Sequence, residues 1–472
     1  IFLFGFTLFF WPAMTLISDL ADPALQNRGV PQAAWRLFHD LTPQYEAWAR
    51  DRLASGRAKE LHVNDISGTE WPLFGSVFYL LAVEDLQKAW EKDNSLFQQE
   101  PKIYARKAID EATKLVFSED SATWVKKHWG KDYLHKENCF YRMLLIFAGA
   151  IHQDLTGLKT YDEQLRFQTR TLAQDIDQSP HGWIVDYPYE CYPTDVLAAV
   201  AAIARADKTL GTDNSKFIER AKRGFSGNTL DKRYGLPPYS GKARTGEIEI
   251  MTRGCGVAYA VMFGNRIWPQ EAQKWMDLYV KHFWQHKWLF WGFREFPKDL
   301  PGYDWGGDVD AGPIIAGHGV AACAFGVAAA RTTGRFDVAW PLTAQMLVSC
   351  WPTPFGVLIA PRFLSNAVDA PLLGEACCLY CLAIQPPKEQ TISQGGSLAG
   401  YVYILLAAYL ALGALFMAIP FIRRRRQENQ QAPRQVTLII WVLLVGGAFG
   451  AAVAGKVLIA LLLLLLAQLP VR

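Results

Sequence analysis

The chain has 472 residues, a formal net charge of +3 and a hydrophobic fraction of 51%. Near-balanced charge, with no basic stripe interleaved with aromatics and no recognisable nucleic-acid module, excludes nucleic acid as a partner. The length is ample for one large domain between apolar ends.

Residues 1–17 (IFLFGFTLFFWPAMTLI) form an uncharged apolar run that includes Trp11 and Pro12. About 20 apolar residues cross a bilayer, so this run is just long enough for a span. With no initiator Met, more of it can lie upstream. A signal peptide is the competing reading, but no small-x-small cleavage site precedes Ser18, and an uncleaved anchor is expected.

Helical periodicity then recurs, with almost no strand alternation, over 32–54, 70–92, 101–117, 137–156, 160–177, 193–208, 214–225, 251–264, 269–286, 313–331, 335–349 and 369–384. The odd-numbered segments are amphipathic and charged, as in YDEQLRFQTRTLAQDI. The even-numbered ones are apolar and rich in small residues, as in VLAAVAAIARA. A helix apolar on all sides belongs in a core, and an amphipathic one covers it. Six inner and six outer helices predict an all-α fold, an (α/α)6 toroid over 30–388, with an irregular α-helical domain as the alternative. Residues 287–297 (KWLFWGFREFP) read as a strand or hairpin inserted between pairs.

Two further apolar runs, 398–422 and 436–469, flank Arg423 to Arg426 and a polar turn ending at Arg434. A short loop carrying five arginines is expected on the cytoplasmic side, which puts the large domain outside. The chain therefore reads as a multi-pass protein of an inner or plasma membrane, with the lipid bilayer as a partner. Gly446 and Gly450 read as ordinary transmembrane glycines. The eight cysteines meet an environment that permits disulfides, although their pairing does not follow from sequence. Cys377, Cys378 and Cys381 lie at helical spacing on an apolar stretch and read as packing residues, since no histidine or second Cys-x-x-Cys completes a zinc site.

In a toroid of this kind all inner helices run the same way, so the six segments preceding them meet at one mouth. Those segments contain Asp65, Glu70 and Trp71; Tyr141; Tyr189, Glu190, Cys191, Tyr192 and Asp195; Glu247 and Glu249; Trp305, Asp308 and Asp310; and Asp369. The opposite mouth reads as plain turn chemistry. Capping is expected of Asp195, Asp310 and Asp369, because acids just before helices satisfy their N-terminal amides. Asp65 and Glu70 flank a Ser-Gly-Thr turn ahead of Trp71-Pro72 and are candidates for chemistry. Cys191, next to a helix start, is a candidate acid, base or nucleophile with a lowered pKa, or else a buried, inert thiol. His318, one turn into an inner helix, reads first as a core histidine. Tryptophans near the mouth (Trp71, Trp124, Trp129, Trp183, Trp288, Trp291, Trp305) suit sugar rings or apolar ligands, or simply fill a broad core.

The twelve-helix plan, Cys191-Tyr192-Pro193 before the sixth helix and the Tyr141-containing start of the fourth resemble linalool dehydratase/isomerase-type domains. The resemblance implies a periplasmic (α/α)6 enzyme, without a cofactor, that adds or removes water and shifts a hydroxyl on small allylic alcohols. It implies that Cys191 is the active-site thiol and Asp65 the aspartate before the second helix. Met143 and Leu144 stand where the family's histidine is expected, and Val200 at the spacing of a second thiol.

The leading expectation is a lyase or isomerase in which Asp65 or Cys191 protonates a leaving hydroxyl and Glu190, Asp308 or Tyr189 takes a proton. Glu70, Trp71, Tyr141, Tyr192, Glu247, Glu249, Trp305, Asp310 and His318 are the expected substrate contacts, with no metal. One alternative is a glycoside hydrolase or polysaccharide lyase, pairing Glu247 and Glu249 with Asp308 and Asp310 or with Asp65 and Glu70. The other is a non-enzymatic module that binds a glycan or lipid. Substrate and oligomeric state are left open.

Overall fold

The protein, described by a computed structural model over residues 1–62 and 64–428, is predominantly helical. The expected span 436–469, with Gly446 and Gly450, and Arg434 lie outside the described residues. Two compact units are formed. One comprises residues 1–23, 344–360 and the described part of the chain from Leu398; the other comprises 24–343 and 361–397.

In the first unit, Phe2–Leu20 and Gly400–Arg424 are helical stretches long and apolar enough to cross a membrane. Pro12 has no N–H and cannot close a helical bond, and just before it the helix widens into a π-turn over Phe6–Phe10. The carbonyl of Leu8 is met instead by the indole Nε1–H of Trp351 at 2.5 Å. The two long helices pack through glycines. A Cβ on Gly5 would lie 2.6 Å from the Cβ of Phe416, and one on Gly413 would lie 2.9 Å from the amide nitrogen of Phe10. Small residues allow this close approach of the two backbones. The rings of Phe9 and Phe416 stack beside the crossing, 5.5 Å apart. Arg423 and Arg424 were expected in a turn. They continue the C-terminal helix, which runs to Glu428, because arginine is a good helix former and its long stem lets the charge reach away from the apolar face.

In the second unit the main helices are α1 (Gln32–Ser55), α2 (Ile66–Trp90), α3 (Arg106–Phe117), α4 (Cys139–Thr156), α5 (Asp162–Gln178), α6 (Pro193–Leu210), α7 (Ser215–Ala221), α8 (Gly254–Gly264), α9 (Pro269–Phe283), α10 (Val320–Thr332), α11 (Phe336–Cys350, which runs on into the first unit) and α12 (Leu373–Ala383). Every residue of α8 is buried. Helix α5 buries one stripe, Leu165, Gln168, Thr169, Leu172, Ala173 and Ile176, the pattern of a covering helix. The apolar helices meet in cyclic order: α2 packs on α4, α4 on α6, α6 on α8, α8 on α10, α10 on α12 and α12 on α2. The amphipathic ones lie against them, α3 on α2 and α4, α5 on α4 and α6, and α9 on α8.

Three small antiparallel sheets interrupt the helices. β1 (Ser240–Gly241) pairs with β2 (Ile248–Ile250), and β3 (Trp284–Lys287) with β4 (Phe290–Phe293). β5 (Trp305–Asp308), β6 (Gly312–Ile315) and β7 (His318–Gly319) form the third. The insertion expected at 287–297 is the β3–β4 hairpin, turning through Trp288 at φ +57°. A helix expected from residue 313 begins only at Val320. Gly312 and Gly317 take positive φ, and Pro313 and the two isoleucines after it pair as a strand. His318 therefore sits on β7 rather than on a helix.

The far ends of the cyclic helices are tied by buried charges. Arg205 of α6 donates to Glu84 of α2 at 2.5 Å and to Asp154 of α4 at 2.6 Å. Arg266, just past α8, reaches Asp85 of α2 and the hydroxyl of Tyr380 of α12, and Asn265 donates to Thr332 at the end of α10. Burial alone would raise the Glu84 carboxyl, but Lys88 and Arg205 hold it at about 2. Turns expected at this end are present, with Gly157 and Gly334 at positive φ, and guanidinium groups besides tie several helices together through side-chain carboxylates.

Candidate functional site

The other ends of these helices carry the acids. Residues 185–192 strap the starts of α4 and α6. Cys139 N–H donates to the carbonyl of Val185 at 3.1 Å, Asp186 Oδ2 accepts from Tyr192 N–H at 2.8 Å, and the amide of Phe140 also donates to the Asp186 carboxyl. One buried carboxylate thus serves two helix N-termini. Its other oxygen, Asp186 Oδ1, has no partner among the described residues, although only 1% of the residue is exposed.

Glu70, on the second turn of α2, is buried and accepts the hydroxyl hydrogen of Tyr187. Burial, with Asp310 and Glu190 nearby, pushes its carboxyl from 4.5 up to about 7. Asp195, on the first turn of α6, is pushed up to about 8 by burial and then by Asp310 and Glu70. Burial and Asp195 likewise raise Asp186. Three carboxyls that sense one another in a low-dielectric setting cannot all ionise, so protons are held among them near neutral pH. Phe74, Asp195 and Phe325 keep partial solvent exposure although they lie on the cyclic helices, so this end is not packed shut.

A second cluster lies beside the first. Arg253, the residue before α8, donates to Glu295 at 2.8 Å and to Asp308 at 2.7 Å, and its guanidinium lies 4.4 Å from the ring centre of Tyr239. Tyr239 donates its hydroxyl hydrogen to Asp310. Glu295, fully buried, also accepts from the amide and thiol of Cys255. The Arg253 guanidinium is thereby taken up by two carboxylates.

The residues expected at the site fare differently. Glu70, Cys191, Tyr192, Asp195 and Asp310 come together. The edge of the Tyr192 ring meets Tyr239 at 5.5 Å. The Cys191 thiol is not activated: burial, with Asp186 and Asp195 beside it, raises its pKa well above the usual thiol value, against the lowering expected at a helix start. Asp65 caps α2, accepting from Gly68 N–H at 3.0 Å and from the Ser67 hydroxyl, because the helix begins at Ile66, before the expected Trp71-Pro72. None of the three expected caps acts as one. Asp195 is inside its helix, Asp310 precedes a strand and Asp369 pairs with Arg57. Tyr189 stands at a turn tip with φ +77° and is 96% exposed. Glu190 is exposed and accepts from the Tyr192 hydroxyl. Tyr141 is buried and donates to the carbonyl of Val116, a packing role. Glu247 pairs with Lys242 in solvent and Glu249 is exposed on β2. Trp305 is exposed on β5, and Trp71 is half-buried. Burial, with Arg294 and Lys287 nearby, lowers His318 to about 4, so the ring is neutral at pH 7. Of the tryptophans, Trp124 and Trp183 are core residues, while Trp288 projects into solvent.

Asp186, Tyr187, Tyr239, Arg253 and Glu295 are site residues that the sequence pattern did not single out. Asp186 and Arg253 do lie in segments that precede even-numbered helices, where a carboxylate or guanidinium short of local partners is a usable signal. Glu295 gives none, since its partners are 40 residues or more away. Among the described residues, no group of three or more histidine, cysteine or acidic side chains is placed to hold a metal ion. The chain matches no protein-family model and no curated protein sequence.

Proposed function

We propose that the chain is a membrane-tethered lyase or isomerase, built on an (α/α)6 toroid outside the cytoplasm, that eliminates or adds water at a small alcohol. The observation that carries the reading is the set Glu70, Asp186 and Asp195, carboxyls that keep protons near neutral pH at the open end of the cyclic helices. The cyclic contact order supports the toroid, and the two long apolar helices support the tether. The Cys191-Tyr192-Pro193 motif adds the resemblance to linalool dehydratase/isomerase-type domains.

In this reaction protonated Asp195 gives its proton to the hydroxyl oxygen, and the C–O bond breaks to release water. Ionised Glu70 takes a proton from the neighbouring carbon, whose C–H electrons become the C=C bond. Asp195 is the better donor and Glu70 the better acceptor, because about 8 and about 7 fall on either side of the working range. Cys191, kept as a thiol, lies against the acids as a neutral wall or second donor. The test is gas-chromatographic assay of water elimination from a panel of small allylic alcohols. Asp195→Asn and Glu70→Gln should each lower the rate by a factor of at least 100. Unchanged turnover in both variants overturns the proposal.

A further inference from the structure

A helix at a water surface turns its polar residues outward and its apolar ones inward. The helix Ile359–Ala367, which leads into α12, does the reverse. The residue it buries is Ser365, whose hydroxyl oxygen accepts from Gly374 N–H at 3.0 Å. Its arginine, Arg362, is drawn inward as well and donates to Glu375 at 2.6 Å and to Gln44 at 2.7 Å. What it shows outward is Phe363, 71% exposed, and Leu364, 52% exposed, with Val368 exposed just past its end. No residue from Phe363 to Val368 is charged. The acid that follows, Asp369, is paired with Arg57 at 2.6 Å.

The chain on either side says what covers this face. The turn before the helix belongs to the first unit and exposes Phe355. In that unit Trp351 donates to the carbonyl of Leu8 on one long apolar helix, and Tyr409 of the other donates to the carbonyl of Val348 at 3.0 Å. The inverted helix thus follows directly on a segment bonded to both helices that are long and apolar enough to cross a membrane. A second protein molecule fits poorly, because a stable protein interface takes about 20–30 residues a side, and the apolar face ends at Arg362 and Asp369. A bilayer needs no matching shape and accepts a few apolar side chains, aromatic ones at the level of its headgroups.

We infer that the helix Ile359–Ala367 lies in the surface of the bilayer, with Phe363, Leu364 and Val368 set into the lipid. The inference rests on the membrane tether of the proposed function and adds a peripheral contact made by the second unit. Leu373, the first residue of α12, lies against Gly75 of α2, five residues on from Glu70. The lipid contact is therefore made at the end of the cyclic helices that carries the acids.

The test places the photoreactive residue p-benzoylphenylalanine at one position at a time in the full chain, reconstituted in phosphatidylcholine vesicles. The positions are those of Phe363, of Phe4 on the first apolar helix (47% exposed) and of Leu158 between α4 and α5 (48% exposed). After illumination, mass spectrometry of the whole chain reads the adducts. Lipid adducts at position 363 should exceed those at 158 by about tenfold or more, since only an inserted side chain stays in contact with lipid. The position of Leu364 serves if the chain altered at 363 fails to fold. Lipid adducts no more abundant than at 158, or adducts with a second copy of the chain in place of lipid, overturn the inference. Adducts at Phe4 with none at Phe363 overturn it and leave the tether standing. Adducts at Phe363 with none at Phe4 support the surface contact and sink the tether, and lipid at neither position sinks both.

Discussion

Replacing Glu70 by glutamine tests whether a buried carboxyl stores a proton at this site. In the unfolded chain the carboxyl titrates at 4.5 and in the fold at about 7. The folded state thus binds the proton more tightly. Its advantage is full below the unfolded value and is lost as pH rises through the folded one. At 1.36 kcal/mol per pH unit, this group alone lowers stability by about 2–3 kcal/mol between pH 5 and pH 8. His318 acts in the opposite sense over part of that range, because its folded value of about 4 lies below 6.5. It is present in both proteins, so the difference between them cancels it. Thermal melts of the full chain in micelles, at several pH values from 5 to 8, should show the wild type losing stability as pH rises. Glu70→Gln should flatten the curve by about 2–3 kcal/mol or more, since removing one charge also eases Asp195. Parallel curves for the two proteins would refute the argument.

Other perturbations separate structural from chemical roles. Asp65→Ala should cost about 0.5–2 kcal/mol in a denaturant melt through the lost cap of α2, and leave turnover per folded molecule unchanged. Arg253→Ala leaves Glu295 charged and buried, and should destabilise the protein by about 3–5 kcal/mol; the same melt reads it. Gly413→Leu pushes a side chain into the backbone of Phe10 and should part the two apolar helices, seen as loss of a disulfide trap between cysteines placed at Phe4 and Phe416, whose rings lie 5.1 Å apart. Trp351→Phe deprives Leu8 of its donor and should lower the melting temperature by an amount equivalent to about 1–3 kcal/mol.

Much of the helical frame was legible in the amino-acid order. An apolar stretch such as 254–264 has nowhere to go but a core, and the single stripe on α5 requires a surface to cover. The two apolar ends announced helices long enough to span a bilayer. Local rules failed where glycine and proline overrode periodicity. Gly312-Pro313 opens a strand that pattern alone reads as helix, and Arg423 extends a helix that charge alone reads as a turn.

The acids were visible as a population but not as individuals. Whether an aspartate before a helix caps it or faces other acids depends on where the helix begins and on what lies across from it. Asp65 turned out to be a cap because α2 begins at Ile66, while Asp195 escaped that role by lying inside α6. The sequence by itself determined the helical periodicity and the supply of carboxyls at the starts of the apolar helices. Only the tertiary structure decided which carboxyls share a proton, because that depends on burial and on charges brought from distant parts of the chain: Glu70, Asp195 and Asp310 perturb one another through space across far more sequence than any local pattern spans.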